Sequence, residues 1–152
     1  MASDETLRAE LLALARAPGE RASADRLWAI LDDYETWPGR RLVGVDGEHA
    51  AWLVAQLGDP DLQHRVLPYL EAAADCGDAD PSHYACLLDR VRMAEGKPQV
   101  FGSQFVAAGD EGVAPWPIED PVGVDERRRR VGLEPLAMQR RKMETRYRSS
   151  TT

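Results

Sequence analysis

The stretch Asp89-Arg90-Val91-Arg92-Met93-Ala94-Glu95-Gly96-Lys97-Pro98-Gln99-Val100-Phe101-Gly102-Ser103-Gln104-Phe105 changes its periodicity part-way along. Upstream of it, Tyr84, Leu87, Leu88 and Val91 recur at helical spacing and make one apolar stripe. Gly96 stands where a helix accepts a left-handed residue, and Pro98 prevents the helix from resuming. From Gln99 the pattern alternates, with Gln99, Phe101, Ser103 and Phe105 on one face of a strand. A glycine weakens a strand interior, so Gly102 marks a bulge or a close approach by another group. The turn residues Gly109-Asp110-Glu111-Gly112 then lead into a return strand over 113–118, which Pro115 and Pro117 confine to an edge.

Working back toward the N-terminus, the same arithmetic predicts only helices. Ser3 can cap a first one carrying Leu7, Leu11 and Leu14, closed by Pro18-Gly19. A second begins near Ser23, with Leu27, Ile30, Leu31 and Tyr34 inward, and ends at Trp37-Pro38-Gly39. After a turn or short extended piece at Val43-Gly44-Val45-Asp46-Gly47, Asp46 caps a third helix bearing Ala50, Leu53, Val54 and Leu57. Asp59-Pro60, Asp80-Pro81 and Asp120-Pro121 each read as a helix start: the aspartate accepts from free N–H groups, and proline loses nothing at N1. The first of these helices buries Leu62, Val66, Leu70 and Ala73, with a kink at Pro68. The third is short and charged, ending at Gly132, and a last helix runs from Pro135 to Tyr147. The fold class is therefore mainly α, a multi-helix domain over 1–148 with five to seven helices. One small antiparallel β-hairpin spans about 99–118, and a flexible tail covers 149–152.

With 152 residues, 43% hydrophobic and 30% charged, the chain reads as globular rather than disordered. No apolar run approaches the ~20 residues that cross a bilayer. The acidic N-terminus lacks the basic start and apolar middle of a signal peptide, so a cytoplasmic location without membrane association is expected. The net charge of −7 is uneven: residues 125–152 hold nine basic and four acidic side chains, net +5, leaving −12 on residues 1–124. An acidic body disfavours a nucleic-acid partner, while the basic tail can fold back or reach an acidic protein.

Taken together, Trp37-Pro38, Val43-Gly44, Gly47, Ala50-Ala51-Trp52, Gln56, Gln63, Asp89-Arg90, Gly96, Gln99, Gly102, Gln104, Pro117-Ile118-Glu119-Asp120 and Gly132-Leu133 resemble a small bacterial family, domain-of-unknown-function family 6624. The resemblance covers about residues 37–136. It implies no activity, but it places the amide-rich corner and the Pro-Ile-Glu-Asp segment in one shared core. Members usually carry histidine where this chain has Leu57, and often tyrosine where it has Phe101. The departure suggests a divergent member that binds without turnover.

Two readings of the corner stay open. Arg90, Gln99 and Gln104 can converge on a ligand, the amides donating and accepting and the guanidinium clamping a carboxylate or phosphate. Alternatively the amides satisfy local backbone and Arg90 pairs with an acid. Glu119 and Asp89 are the candidate acid–base carboxylates, and Trp52 and Gln56 candidate pocket wall. His83, Cys86 and Cys76 lack the tight spacing of a zinc site, so neither metal nor cofactor is expected. His49, His64 and His83 show no local nucleophile signature. The leading expectation is a pocket protein for a small polar or peptide-like ligand, with or without catalysis. Its rival is a non-catalytic interaction module that docks on a protein through the basic C-terminal region.

Overall fold

The computed structural model describes residues 2–151. Among them are seven α-helices and one two-stranded antiparallel sheet, so the protein is mainly α with a small hairpin. The chain divides into two compact units, Met1–Leu87 and Leu88–Thr152, the division falling within the fifth helix.

The first unit comprises α1 (Glu5–Leu14), α2 (Arg21–Tyr34), α3 (Arg40–Gln56), α4 (Pro60–Asp75) and the opening turns of α5 (Pro81–Ala94). Helix α3 is packed by α1, α2 and α4. The core is made of the stripes that the periodicity predicts: Leu7 and Leu11, then Leu27, Ile30 and Leu31, then Leu62, Val66 and Leu70. Each such side chain contributes about 1.5–3 kcal/mol on leaving water. Asp59 caps α4 by accepting from Leu62 N, as the Asp-Pro reading expects, and Pro60 follows at N1. Asp4, not Ser3, caps α1 through Leu7 N. Ser23 lies inside α2, where its buried hydroxyl donates to Ala17 O.

Helix α3 starts earlier than its sequence suggests. Residues 40–43 already form a first turn, and Gly44, at φ 76°, breaks the geometry before the helix continues. Gly39 offers no side chain to cap this start. Asp78 takes over: its carbonyl accepts from Arg40 N and its carboxylate from Arg41 N. Any Cβ on Gly39 would collide with that carboxylate, so glycine is required by the close approach. At the other end, buried Gln63 donates to Gln56 O and satisfies one of the last carbonyls of α3.

The second unit holds the rest of α5, strands β1 (Phe105–Ala107) and β2 (Val113–Pro115), and helices α6 (Val124–Arg130) and α7 (Leu136–Thr151). Phe105 pairs with Pro115 and Ala107 with Val113. The hairpin is shorter than the alternating pattern from Gln99 implies. Beyond β1 and β2 there is one parallel bridge, Gln99 to Ile118, and residues 100–104 leave the sheet. The reason is Asp89. Its carboxylate draws in the N–H groups of Val100, Phe101 and Ser103, which a ladder would otherwise use. The carbonyls of the same turn go to two arginines, Val100 O to Arg127 and the next two to Arg128. Gly102 is at φ 67°, and a Cβ there would press on Ile118 and Leu136 at 3.1–3.2 Å, a close approach of the kind its position suggests.

Helix α7 packs on β2 and α6. It continues through residues 149–151, where the sequence suggests a flexible tail; Thr152 lies outside the described residues. Asp120 does not cap with its side chain. It adopts φ 46° ahead of a single 3-10 turn, Pro121–Gly123, that leads into α6. No helix among the described residues is long and apolar enough to cross a membrane.

Candidate functional site

The candidate residues of the helix-to-strand corner meet backbone rather than open space. Asp89 is fully buried, and its two oxygens take the three N–H groups above and the Ser103 hydroxyl at 2.8 Å. Gln99 is equally buried. Its Nε2 donates to Gln104 O and Trp116 O, and its Oε1 accepts from Gln104 N, so amide and carbonyl are both committed. Gln104, half-buried, donates to Ser103 Oγ. Arg90 is half-buried on α5. Glu119 is exposed and pairs with Arg92 at 3.7 Å, so it does not join Asp89. Of the two readings left open by the sequence, the local geometry here is the backbone-satisfying one.

In the first unit a different constellation forms. Glu48 lies on α3 with Ala51 and Ala55, three and seven residues on, and shares their buried face. Its carboxylate is fully buried and has three partners. Trp37 Nε1 donates to Oε2 at 3.0 Å, Asp80 N donates to Oε1 at 3.2 Å, and His83 Nδ1 lies 2.7 Å from Oε1. His83 Nε2 in turn lies 3.3 Å from His49 Nδ1. His49 is exposed, whereas His83 is buried.

Trp52, a candidate from the sequence, braces this chain. Its ring stacks on His83 at 4.5 Å and 9°, and its Nε1 donates to His83 O. One helical turn on, Gln56 keeps its Oε1 shielded with no hydrogen-bond partner. Trp52 therefore belongs with the histidines, holding His83 by ring stacking and by the hydrogen bond from its Nε1.

The protons follow from the partners. A carboxylate only accepts, so as an anion Glu48 fixes the Nδ1–H tautomer of His83. Neutral His83 then presents the lone pair of Nε2 to His49 Nδ1–H, which leaves the Nε2 lone pair of His49 free to act as a base. A carboxylate behind a histidine in this way sets its tautomer and its ring orientation.

The two histidines open on a cavity of about 630 Å³ whose apolar walls are Leu12, Ala15, Val45, Ala50 and Leu53. Four charged residues, Arg8, Arg40, Asp46 and Asp80, complete its lining. Arg8 gives three of its five N–H donors to both oxygens of Asp46 and to Glu5. The hydrogen bond from Arg8 holds the Asp46 carboxyl below its ordinary value. Burial pushes the Asp80 carboxyl up, but hydrogen bonds from the Ser82 amide and hydroxyl, with the charge of Arg40, keep it below its ordinary value. Among the described residues no group of three or more His, Cys, Asp or Glu side chains is arranged to hold a metal ion.

A family profile matches residues 3–150, nearly the whole chain. The chain belongs to DUF6624, a family of unknown function. The match extends on both sides of the segment whose residues carry the resemblance. No curated protein and no solved structure matches the chain. In this DUF6624 chain, then, the site rests on its own geometry. Sequence reasoning passed over Glu48 and did not join His49 to His83. One signal was present: Glu48 is an acid on an apolar stripe, immediately followed by a histidine.

Proposed function

We propose that this protein is an enzyme that moves a proton to or from a small ligand held in the cavity of its first unit. His49 exchanges the proton with the ligand, His83 relays, and Glu48 holds the charge. The observation that carries the reading is the continuous run from a buried carboxylate through a buried histidine to an exposed one. His49 Nε2 takes a proton from an acidic X–H of the ligand while its Nδ1 proton passes to His83 Nε2. The positive charge then sits on His83, against Glu48, and no net charge is stranded. Reversal returns the proton to another atom of the ligand or to a water. Positioned acid–base groups of this kind contribute about 10²–10⁴-fold in rate. The cavity volume falls in the ~300–1,000 Å³ range of small-molecule sites.

A cytoplasmic setting belongs to this reading and suits the free thiols of Cys76 and Cys86. The rival, docking through the basic C-terminal region, has less support. Arg128 is buried against backbone, Arg129 and Arg130 pair with Glu126, Arg140 with Glu144, and Lys142 with Glu134.

The test is hydrolysis of p-nitrophenyl acetate, an uncharged ester that reports an activated imidazole. His49→Gln should lower the second-order rate constant at least tenfold, and His64→Gln, a change at an exposed histidine outside the cavity, should leave it alone. Equal rates for wild type and His49→Gln defeat the reading.

A further inference from the structure

We infer that the cavity takes a monoanionic ligand, a carboxylate on a short apolar body, with Arg40 as the partner of the carboxylate. This rests on reading the same cavity as the active site. Arg40 lines it beside His49, and its Nε–H is shielded from water without any hydrogen-bond partner. A buried donor left unmade costs about 1–3 kcal/mol, so a small rotation of this side chain that brings Nε–H to the cavity surface and to an acceptor there is favoured. Among the described residues, the opposite charge nearest its side chain is Asp80 Oδ2, 3.7 Å from Nη2, too long for a hydrogen bond. Asp80 is otherwise engaged, its Oδ1 accepting from Ser82 N and Oγ.

The second cation of the wall makes the contrast. Arg8 gives Nε and Nη2 to Asp46 and Nη1 to Glu5, so its Nε/Nη2 edge is taken. Of the two, Arg40 keeps its Nε/Nη2 edge uncommitted, and such an edge matches a carboxylate bidentately. The wall charges of Arg8, Arg40, Asp46 and Asp80 cancel, so one added negative charge is tolerated, while a dianion would face both aspartates. Beyond the head group, Leu12, Ala15, Ala50 and Leu53 offer an apolar lining for a short chain. Binding there brings the ligand alongside His49, where an X–H near its carboxylate can meet Nε2.

Hexanoate is the probe, with hexan-1-ol and inorganic phosphate beside it, and affinity is read by calorimetry. Wild type should bind hexanoate at least tenfold more tightly than either comparison compound. Arg40→Gln should weaken hexanoate at least tenfold, and Arg40→Lys, which keeps the charge but not the fork, should fall between. The Arg40 amide is anchored on Asp78 O and its side chain is part-exposed, so these variants keep the fold; circular dichroism confirms it. No binding of hexanoate, hexan-1-ol binding equally, or an unchanged affinity in Arg40→Gln overturns the assignment. The ester assay uses a neutral substrate and is read on the wild type and His49→Gln, not on the Arg40 variants. A failed ester assay with intact hexanoate selectivity therefore removes the chemistry and leaves the anion site, and the converse removes only the anion site.

Discussion

Asp89 and Glu48 are the two fully buried carboxylates of the molecule's described residues, and they differ in what lies behind their hydrogen bonds. Every partner of Asp89 belongs to one turn of its own unit, three backbone amides and a hydroxyl between Val100 and Ser103. Its onward link, from the Ser103 hydroxyl to the Gln104 amide, reaches no titratable group. Glu48 takes an indole, one amide and an imidazole, and the imidazole has a second nitrogen that reaches an exposed histidine. The first carboxylate ends a network; the second begins one. Burial of an acid alone thus does not mark a site. What matters is whether one of its partners can change protonation and hand that change to a surface.

The largest effect that separates the two should come from Asp89→Asn. The amide keeps one acceptor oxygen but turns an N–H group toward amides that also donate. Several buried donors then lose their partner at about 1–3 kcal/mol each, with partial relief by relaxation, for a total of about 3–4 kcal/mol. Urea denaturation measures the loss, and hydrogen exchange locates it at the amides of Val100, Phe101 and Ser103. The ester hydrolysis rate of the folded fraction should not move. A loss under about 1 kcal/mol means the turn does not depend on that carboxylate.

How far the sequence could lead differs between these two places. Helical stripes such as Leu27, Ile30 and Leu31 are local, and so is the Asp59-Pro60 cap; both are legible because the atoms that meet are within four residues. Asp89 reads as lying opposite the apolar stripe of α5, and helical spacing alone then makes it a solvated acid. Its burial depends on residues 100–103 curling over it, a choice made by tertiary context against the strand pattern. The same curl spends Gln99 on backbone. Glu48 and His83 are 35 residues apart, on α3 and α5, and no short-range rule joins them. The amides of the corner drew notice because polar residues in a strand are conspicuous, whereas a glutamate in an amphipathic helix is common. Only its place on the stripe with Ala51 and Ala55 set it apart. The arginine cluster of α6 shows the same blindness: spacing makes Arg128 a surface residue, yet it is fully buried and donates to the carbonyls of Phe101, Gly102 and Glu134.

Glu48→Gln sharpens the comparison from the other side. Glutamine keeps the shape and can still accept from Trp37 or His83, so stability should fall by only about 1–2 kcal/mol. The consequence should be chemical instead. Without an anion that accepts only, His83 is no longer held to the Nδ1–H tautomer, and ¹⁵N chemical shifts of the ring should report a mixture. Ester hydrolysis should drop, within the ~10–100-fold that loss of such an orienting partner brings. If Glu48→Gln costs as much stability as Asp89→Asn and leaves the tautomer unchanged, the two carboxylates play the same structural part and the contrast drawn above collapses.

The smallest effect belongs to a third carboxylate, Asp46, which is exposed where the other two are buried. It ties α3 to α1 through Arg8, and the Arg8 hydrogen bond keeps its carboxyl below the ordinary 3.8. A group whose acidity is strengthened by folding stabilises the folded chain above its unfolded value, and that contribution disappears as the pH falls through the lower folded value. The difference in denaturation midpoint between wild type and Asp46→Asn should therefore be constant near neutrality, shrink below pH 3.8, and vanish once the native carboxyl is protonated. Salt should shrink it too, because water and ions reach both partners and the Debye length falls to ~3 Å at 1 M. Salt should not reduce the Asp89→Asn effect in the same proportion, since its hydrogen bonds run to backbone amides shielded from ions. A salt-insensitive Asp46 pair would place that ion pair with the buried carboxylates, and exposure would no longer separate the three.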